Sequence, residues 1–279
     1  MMYRTSGLLL VIIVSLCLPR FGISQVIVSI PPQKQFVDQI AANRLSVEVI
    51  LTPGESPETY SPSPRQLSKL SNASLYIQMG VPFERHWSES LEKLNPDMKI
   101  VKCCQQFSGI LKNVRQEDMH YWTDPVFVQH YLALITDTLI ELQPENKEIF
   151  KSNFIDYTNS IKQLDRIIIE KLKHRRIDQF IISHSALDAY SDRYGLLQLS
   201  LEQSGRESGP RKLLSIVETA KRQDIKTLFI IEQYHTRAVN NLAVQLGADI
   251  VMIDPMAEDY IANMLVITEK LTKALGGEQ

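Results

Sequence analysis

Four side chains in this 279-residue chain have the type and placement to hold a divalent metal: Glu58, His120, His184 and Asp254. Each follows or closes a short run rich in β-branched and apolar residues. If those runs are parallel strands, all four stand at carboxyl ends, where the loops of an open sheet converge on a crevice. Two imidazoles and two carboxylates, two from each half of the chain, make a plausible ligand set for a first-row divalent ion. Taken singly, each has an ordinary alternative. Glu58 sits in a Gly/Pro/Ser-rich turn as a solvated carboxylate. His120 neighbours Tyr121 and Trp122, His184 opens a helix beside Ser183 and Ser185, and Asp254-Pro255 is a common exit from a strand. Their shared strand-end placement is what joins them.

The other histidines fit less well. His86 and His130 fall inside predicted helices, and His174 lies in the basic segment Lys173-His174-Arg175-Arg176 at a helix end, where cations are favoured anyway. His235 is the reserve candidate. Glu232 reads either as a carboxylate orienting a histidine through its free ring nitrogen or as a helix-cap acceptor.

The elements that must position these groups are legible as periodicities. Strand-like runs occupy residues 26–30, 45–51, 73–79 and 98–103, separated by helical patterns over 33–42, 64–70 and 82–94. The same alternation resumes with strands at 179–183, 197–201, 227–232 and 249–253 and helices near 186–194, 211–222 and 237–246, closing with a helix over 260–275. Between the halves, Asp124-Pro125 opens a helix running to about Leu142. Pro144 then begins a second, reaching to about Lys173, with Phe150, Phe154, Tyr157, Ile161, Leu164 and Ile168 on one face. That helix would be about 43 Å long, more than one lobe needs. The predicted fold is α/β: two lobes, each a parallel sheet flanked by helices, joined by one long rigid connecting helix. The corresponding division is a leader at 1–24, an N-terminal lobe at 25–143, the connecting helix at 144–174 and a C-terminal lobe at 175–279.

Composition narrows the function classes. Apolar residues at 44% and charged residues at 22% are ordinary for a globular protein, and a formal net charge of −2 leaves no basic footprint for nucleic acid. Arg4, the apolar run 8–18, and the small residues Gly22 and Ser24 predict a cleavable export signal with Gln25 as the mature N-terminus. The run is too short for a membrane span, and Leu16 before Cys17 argues against lipidation. Cys103 and Cys104 would remain in the mature chain; as sequence neighbours they read as thiols at a strand end, not as a disulfide.

At these same residues the sequence resembles the cluster A-I, TroA-like and ZnuA-like metal-binding receptors of ABC importers. The stretch Pro53-Gly54-Glu55-Ser56-Pro57-Glu58-Thr59-Tyr60-Ser61-Pro62-Ser63-Pro64 resembles the family's PG-x-x-PH-x-Y-x-P-x-P loop. His120-Tyr121-Trp122-Thr123-Asp124-Pro125 resembles its HxWxDP motif, and His184-Ser185-Ala186 through Arg193-Tyr194-Gly195-Leu196 its H-x-A…RYGL segment. Ile253-Asp254-Pro255 resembles its closing strand and loop. The likeness runs from about Val26 to Leu275. It implies a metal held between two lobes and handed to a membrane permease, by a periplasmic monomer.

Two departures stand out. Glu58 replaces the family's usual first histidine, which hardens the site, and no histidine occurs between Gln105 and Met119, where many zinc receptors carry a His-rich loop. His184 resembles the zinc-type members, whereas manganese-type members tend to carry glutamate there. Zn2+ is therefore the expected cargo, with Mn2+ or Fe2+ as alternatives. Four protein ligands leave no open position for an activated water, so an enzyme is not expected. A zinc-dependent hydrolase, in which Glu58 would not bind, and a surface adhesin are the rival readings; no HExxH or nucleophile elbow supports the first.

Overall fold

The computed structural model describes residues 25–103, 120–203 and 206–277. The leader assigned to residues 1–24, Cys104 and the histidine-free stretch 105–119 lie outside them.

The first sheet contains β1 (Gln25–Val28), β2 (Ser46–Val49), β3 (Leu75–Ile77) and β4 (Lys99–Val101), all parallel, in the order β2-β1-β3-β4. Helices α1 (Pro31–Ala41), α2 (Pro64–Leu70) and α3 (Pro82–Leu94) make the crossovers. The second sheet contains β5 (Gln179–His184), β6 (Leu197–Gln203), β7 (Arg206–Glu207), β8 (Thr227–Ile230) and β9 (Asp249–Met252) in the order β7-β6-β5-β8-β9, all parallel except β7. Helices α6 (Asp188–Tyr194), α7 (Pro210–Arg222) and α8 (Arg237–Leu246) connect these strands. The central strands β1 and β5 are buried along nearly their whole length, which is why they read as continuous apolar runs and not as alternating ones.

Three further helices complete the fold: α4 (Pro125–Leu142), α5 (Lys147–Leu172) and the closing α9 (Tyr260–Ala274). Asp124 caps α4 by accepting the Val126 amide at 2.8 Å, with Pro125 at the first helical position. Helix α5 ties into both lobes. Asn153 Nδ2 donates to the Ile40 carbonyl of α1 at 2.9 Å, while Asp165 accepts from Arg193 Nη2 at 2.7 Å and from Tyr194 OH at 2.8 Å. One apolar cluster runs without a break from Ile27 and Tyr76 through Phe150, Ile161 and Ile168 to Phe229 and Met264. A core shared in this way resists wide hinge bending, because opening it would expose apolar surface at roughly 25 cal/mol per Å².

Three details differ from the sequence-based expectations. The connecting helix begins as a 3-10 turn, Pro144–Asn146, before α5 proper, as the first turns of helices often do. Helix α1 starts two residues early, at Pro31, because the Gln33 side chain takes over the capping: its Oε1 accepts the Ser29 and Ile30 amides at 2.9 and 3.0 Å. A two-residue strand, β7 (Arg206–Glu207), pairs antiparallel with the end of β6; a run so short carries no periodicity to detect.

Candidate metal site

The site is assembled at the carboxyl ends of strands from both sheets. Glu58 lies on the loop after β2, whose turn uses Gly54 at φ +86°. Tyr60 pins this loop: its OH donates to the Ile50 carbonyl at 2.8 Å and its ring packs edge-on against Phe83 at 5.2 Å. His184 is the last residue of β5 and is 1% exposed. The parallel register sets it beside Glu202 of β6. His120 precedes a 3-10 turn, Tyr121–Thr123, in which its carbonyl accepts from the Thr123 amide and hydroxyl. The next turn, Glu232–Tyr234 after β8, supplies Tyr234.

Among the described residues, Glu58, His184 and Glu202 bring ligand-type atoms within 4.8 Å of one another. The two ring nitrogens of His184 play different parts. Nδ1 lies 2.9 Å from Glu202 Oε2, and a carboxylate there places the proton on Nδ1. In the neutral ring Nε2 is then left with its lone pair, and it lies 3.3 Å from Glu58 Oε1 with no hydrogen bond between them. Two acceptors this close in a buried place repel unless a cation joins them. Glu202 Oε1 is also buried without a hydrogen-bond partner. The carboxylate gripping Nδ1 fixes the orientation of the ring.

Tyr234 organises the other side. Its ring stacks on the His184 imidazole at a centroid distance of 3.9 Å and an interplanar angle of 4°, so it covers the face and leaves the in-plane nitrogen open. Its OH donates to Glu58 Oε2 at 2.6 Å and also meets Ser56 Oγ at 2.9 Å. Burial, and then the bond to Glu58, push the Tyr234 phenol well above its ordinary range, so it remains a donor.

The remaining predicted positions separate. The His120 ring stands 5.2 Å from that of His184 and equally far from Trp122, edge-on to its partner histidine. Trp122, fully buried, donates Nε1–H to the Pro255 carbonyl at 2.9 Å and so fastens the His120 turn to the Asp254-Pro255 loop. Asp254 is exposed: its Oδ1 accepts the Met256 amide at 2.8 Å, and it is not part of the close group. It lines an interlobe cavity of about 180 Å³ together with Thr52, Gly54, Gln233 and Glu258. His235 is exposed and its Nε2 pairs with Asn240 at 2.9 Å, and Glu232 is exposed. Glu202 and Tyr234 are absent from the strand-end reading. Glu202 directly follows the run 197–201, so the same rule reaches it; Tyr234, an aromatic outside the usual ligand types, carries no such signal.

Two α/β lobes on a stiff helical spine, with imidazole and carboxylate groups converging between them, define a metal-binding solute-binding protein. Residues 26–274 match the family described as zinc-uptake complex component A, periplasmic, and the chain belongs to that family. Its members are metal-binding transport components and not enzymes. A putative metal-binding protein of Chlamydia trachomatis is 24% identical over 251 residues, covering 87% of this chain and 88% of its own. The manganese-binding lipoprotein MntA of Halalkalibacterium halodurans is 25% identical over 219 residues, covering 77% and 73%. Among solved structures, a zinc-bound deletion mutant of ZnuA superposes with a TM-score of 0.84 at 27% identity, over 92% of this chain and all of that one.

Proposed function

We propose that this chain is an extracytoplasmic receptor that captures one zinc ion between its lobes and delivers it to an ABC permease. The observation that carries the reading is the close approach of His184 Nε2, buried without a hydrogen bond, to Glu58 Oε1 at 3.3 Å. A dication there would offset the two carboxylates Glu58 and Glu202, and burial makes that compensation worth more than it is in water. Glu58 Oε1, His184 Nε2 and His120 supply three donors. Asp254, on the wall of the interlobe cavity, supplies the fourth on a small closure of its loop. Imidazoles suit zinc, and the carboxylates bring manganese within reach as the second choice. The zinc-bound ZnuA and the manganese-binding MntA among the relatives favour the same two ions. Export by cleavage near Ser24 and action as a monomer complete the reading.

Competition titration of the mature protein with zinc and with manganese tests it. The expected result is one ion per chain, zinc bound more tightly, and a loss of at least about tenfold in affinity for Asp254→Ala. Unchanged affinity in that variant would assign the fourth position to solvent. Tighter binding of manganese than of zinc would overturn the choice of cargo.

A further inference from the structure

Glu58 departs from the histidine that its loop motif leads one to expect, and a carboxylate poses a problem that an imidazole does not. It has two oxygens, and it can hold an ion by one or by both. Bidentate ligation raises the coordination number and suits larger, harder ions such as manganese or calcium, whereas zinc sites are mostly four-coordinate.

We infer that Tyr234 sets the metal preference of this site by occupying one oxygen of Glu58 and so restricting it to one-point ligation. The inference rests on the reading in which Glu58 is a ligand. The Tyr234 OH donates to Glu58 Oε2 at 2.6 Å, a short, strong contact to an anionic acceptor. Glu58 Oε1, the other oxygen, is the one that lies 3.3 Å from His184 Nε2. The restraint is itself restrained: the Tyr234 ring is clamped face-to-face on His184, and its hydroxyl oxygen meets Ser56 Oγ two residues before Glu58. The same side chain therefore fixes the ring plane of one ligand and selects the oxygen of the other. Because Tyr234 comes from the second lobe and Glu58 from the first, the contact also aligns the two halves of the site.

Tyr234→Phe isolates the effect, since it keeps the stacked ring and removes only the hydroxyl. Loss of an outer partner of a metal ligand typically costs 10–100-fold in affinity. Zinc affinity should accordingly fall about tenfold or more while manganese affinity holds or rises, so that the zinc-to-manganese ratio drops by at least about tenfold. Cobalt loaded in place of zinc should lose the intense visible bands of a four-coordinate site in the variant. X-ray absorption of the zinc-loaded native protein needs no variant, and it should return a coordination number of four. An unchanged ratio and unchanged cobalt bands in Tyr234→Phe, or five-coordinate zinc in the native protein, would overturn the inference. Glu58→Ala separates this from the underlying reading. If it leaves zinc affinity and the cobalt bands intact, then Glu58 is not a ligand and the reading itself fails. If it abolishes both while Tyr234→Phe changes neither, only the role of Tyr234 is lost.

Discussion

Two of the buried polar clusters among the described residues differ in how completely their hydrogen bonds are satisfied. The first lies at the carboxyl end of the first sheet. There Gln33 accepts the Ser29 and Ile30 amides and donates to the Ile77 carbonyl and to Tyr131, while Glu84 accepts the Met79 and Gly80 amides at 2.8 and 2.7 Å and the Ser29 hydroxyl. Tyr76 OH joins through Ser29 Oγ at 2.9 Å, and Tyr131 OH donates to the Gln78 carbonyl at 3.1 Å. The second cluster, at the junction of the lobes, leaves His184 Nε2 and Glu202 Oε1 without hydrogen bonds. A buried polar network that is satisfied specifies a structure; one left short of partners is costly unless something else completes it. The first cluster builds the lobe, and in the proposed reading the second is completed by the bound ion.

Substitutions in the two clusters should therefore separate metal affinity from stability. The largest effect is expected for His184→Ala, which removes a donor and should weaken zinc binding by more than about a hundredfold, or about 2.7 kcal/mol, in a chelator competition assay. A change below tenfold would place the ion elsewhere.

Next comes Glu84, whose carboxyl is raised by burial from 4.5 to about 7. Below about pH 4.5 both folded and unfolded chains hold this proton. Between that pH and about 7 the unfolded chain releases it and the folded one keeps it, so the contribution to stability falls as pH rises and is lost above about 7. The total is on the order of 3 kcal/mol. Urea unfolding of the metal-free protein should show a downward component over this window that Glu84→Gln lacks; identical slopes in the two proteins would contradict it.

Glu202→Ala should cost about 10–100-fold in zinc affinity by freeing the His184 ring. An effect as large as that of His184→Ala would instead make Glu202 a direct ligand. Gln33→Ala, which strands two buried amides, should lower stability by about 2 kcal/mol by chemical denaturation and leave metal affinity unaltered. A matching loss of affinity would erase the distinction between the clusters.

The contrast also explains what was legible in the sequence. Strand and helix positions follow from periodicity, and they were readable because β1, β5 and the α5 face Phe150, Tyr157, Ile161, Leu164, Ile168 bury long apolar stretches. Strand ends then located Glu58 and His184, since parallel sheets bring their carboxyl ends together. Asp254 and His120 were equally readable as positions, but not the distances between them: these depend on how Trp122 joins Pro255 and on where the Met256 amide draws the aspartate. Glu202 and Tyr234 matter through register and stacking across separate elements. Pairing of His184 with Glu202 needs the alignment of β5 with β6, and the Tyr234–Glu58 bond spans 176 residues of sequence. No local pattern encodes either.

Zinc titration of the metal-free mature protein against a chromophoric chelator, beside the His120→Ala/His184→Ala double variant, tests the central claim most directly. The incomplete cluster predicts one tightly held ion per chain in the native protein and none competing with the chelator in the double variant. Undiminished, stoichiometric zinc binding by the double variant would contradict it.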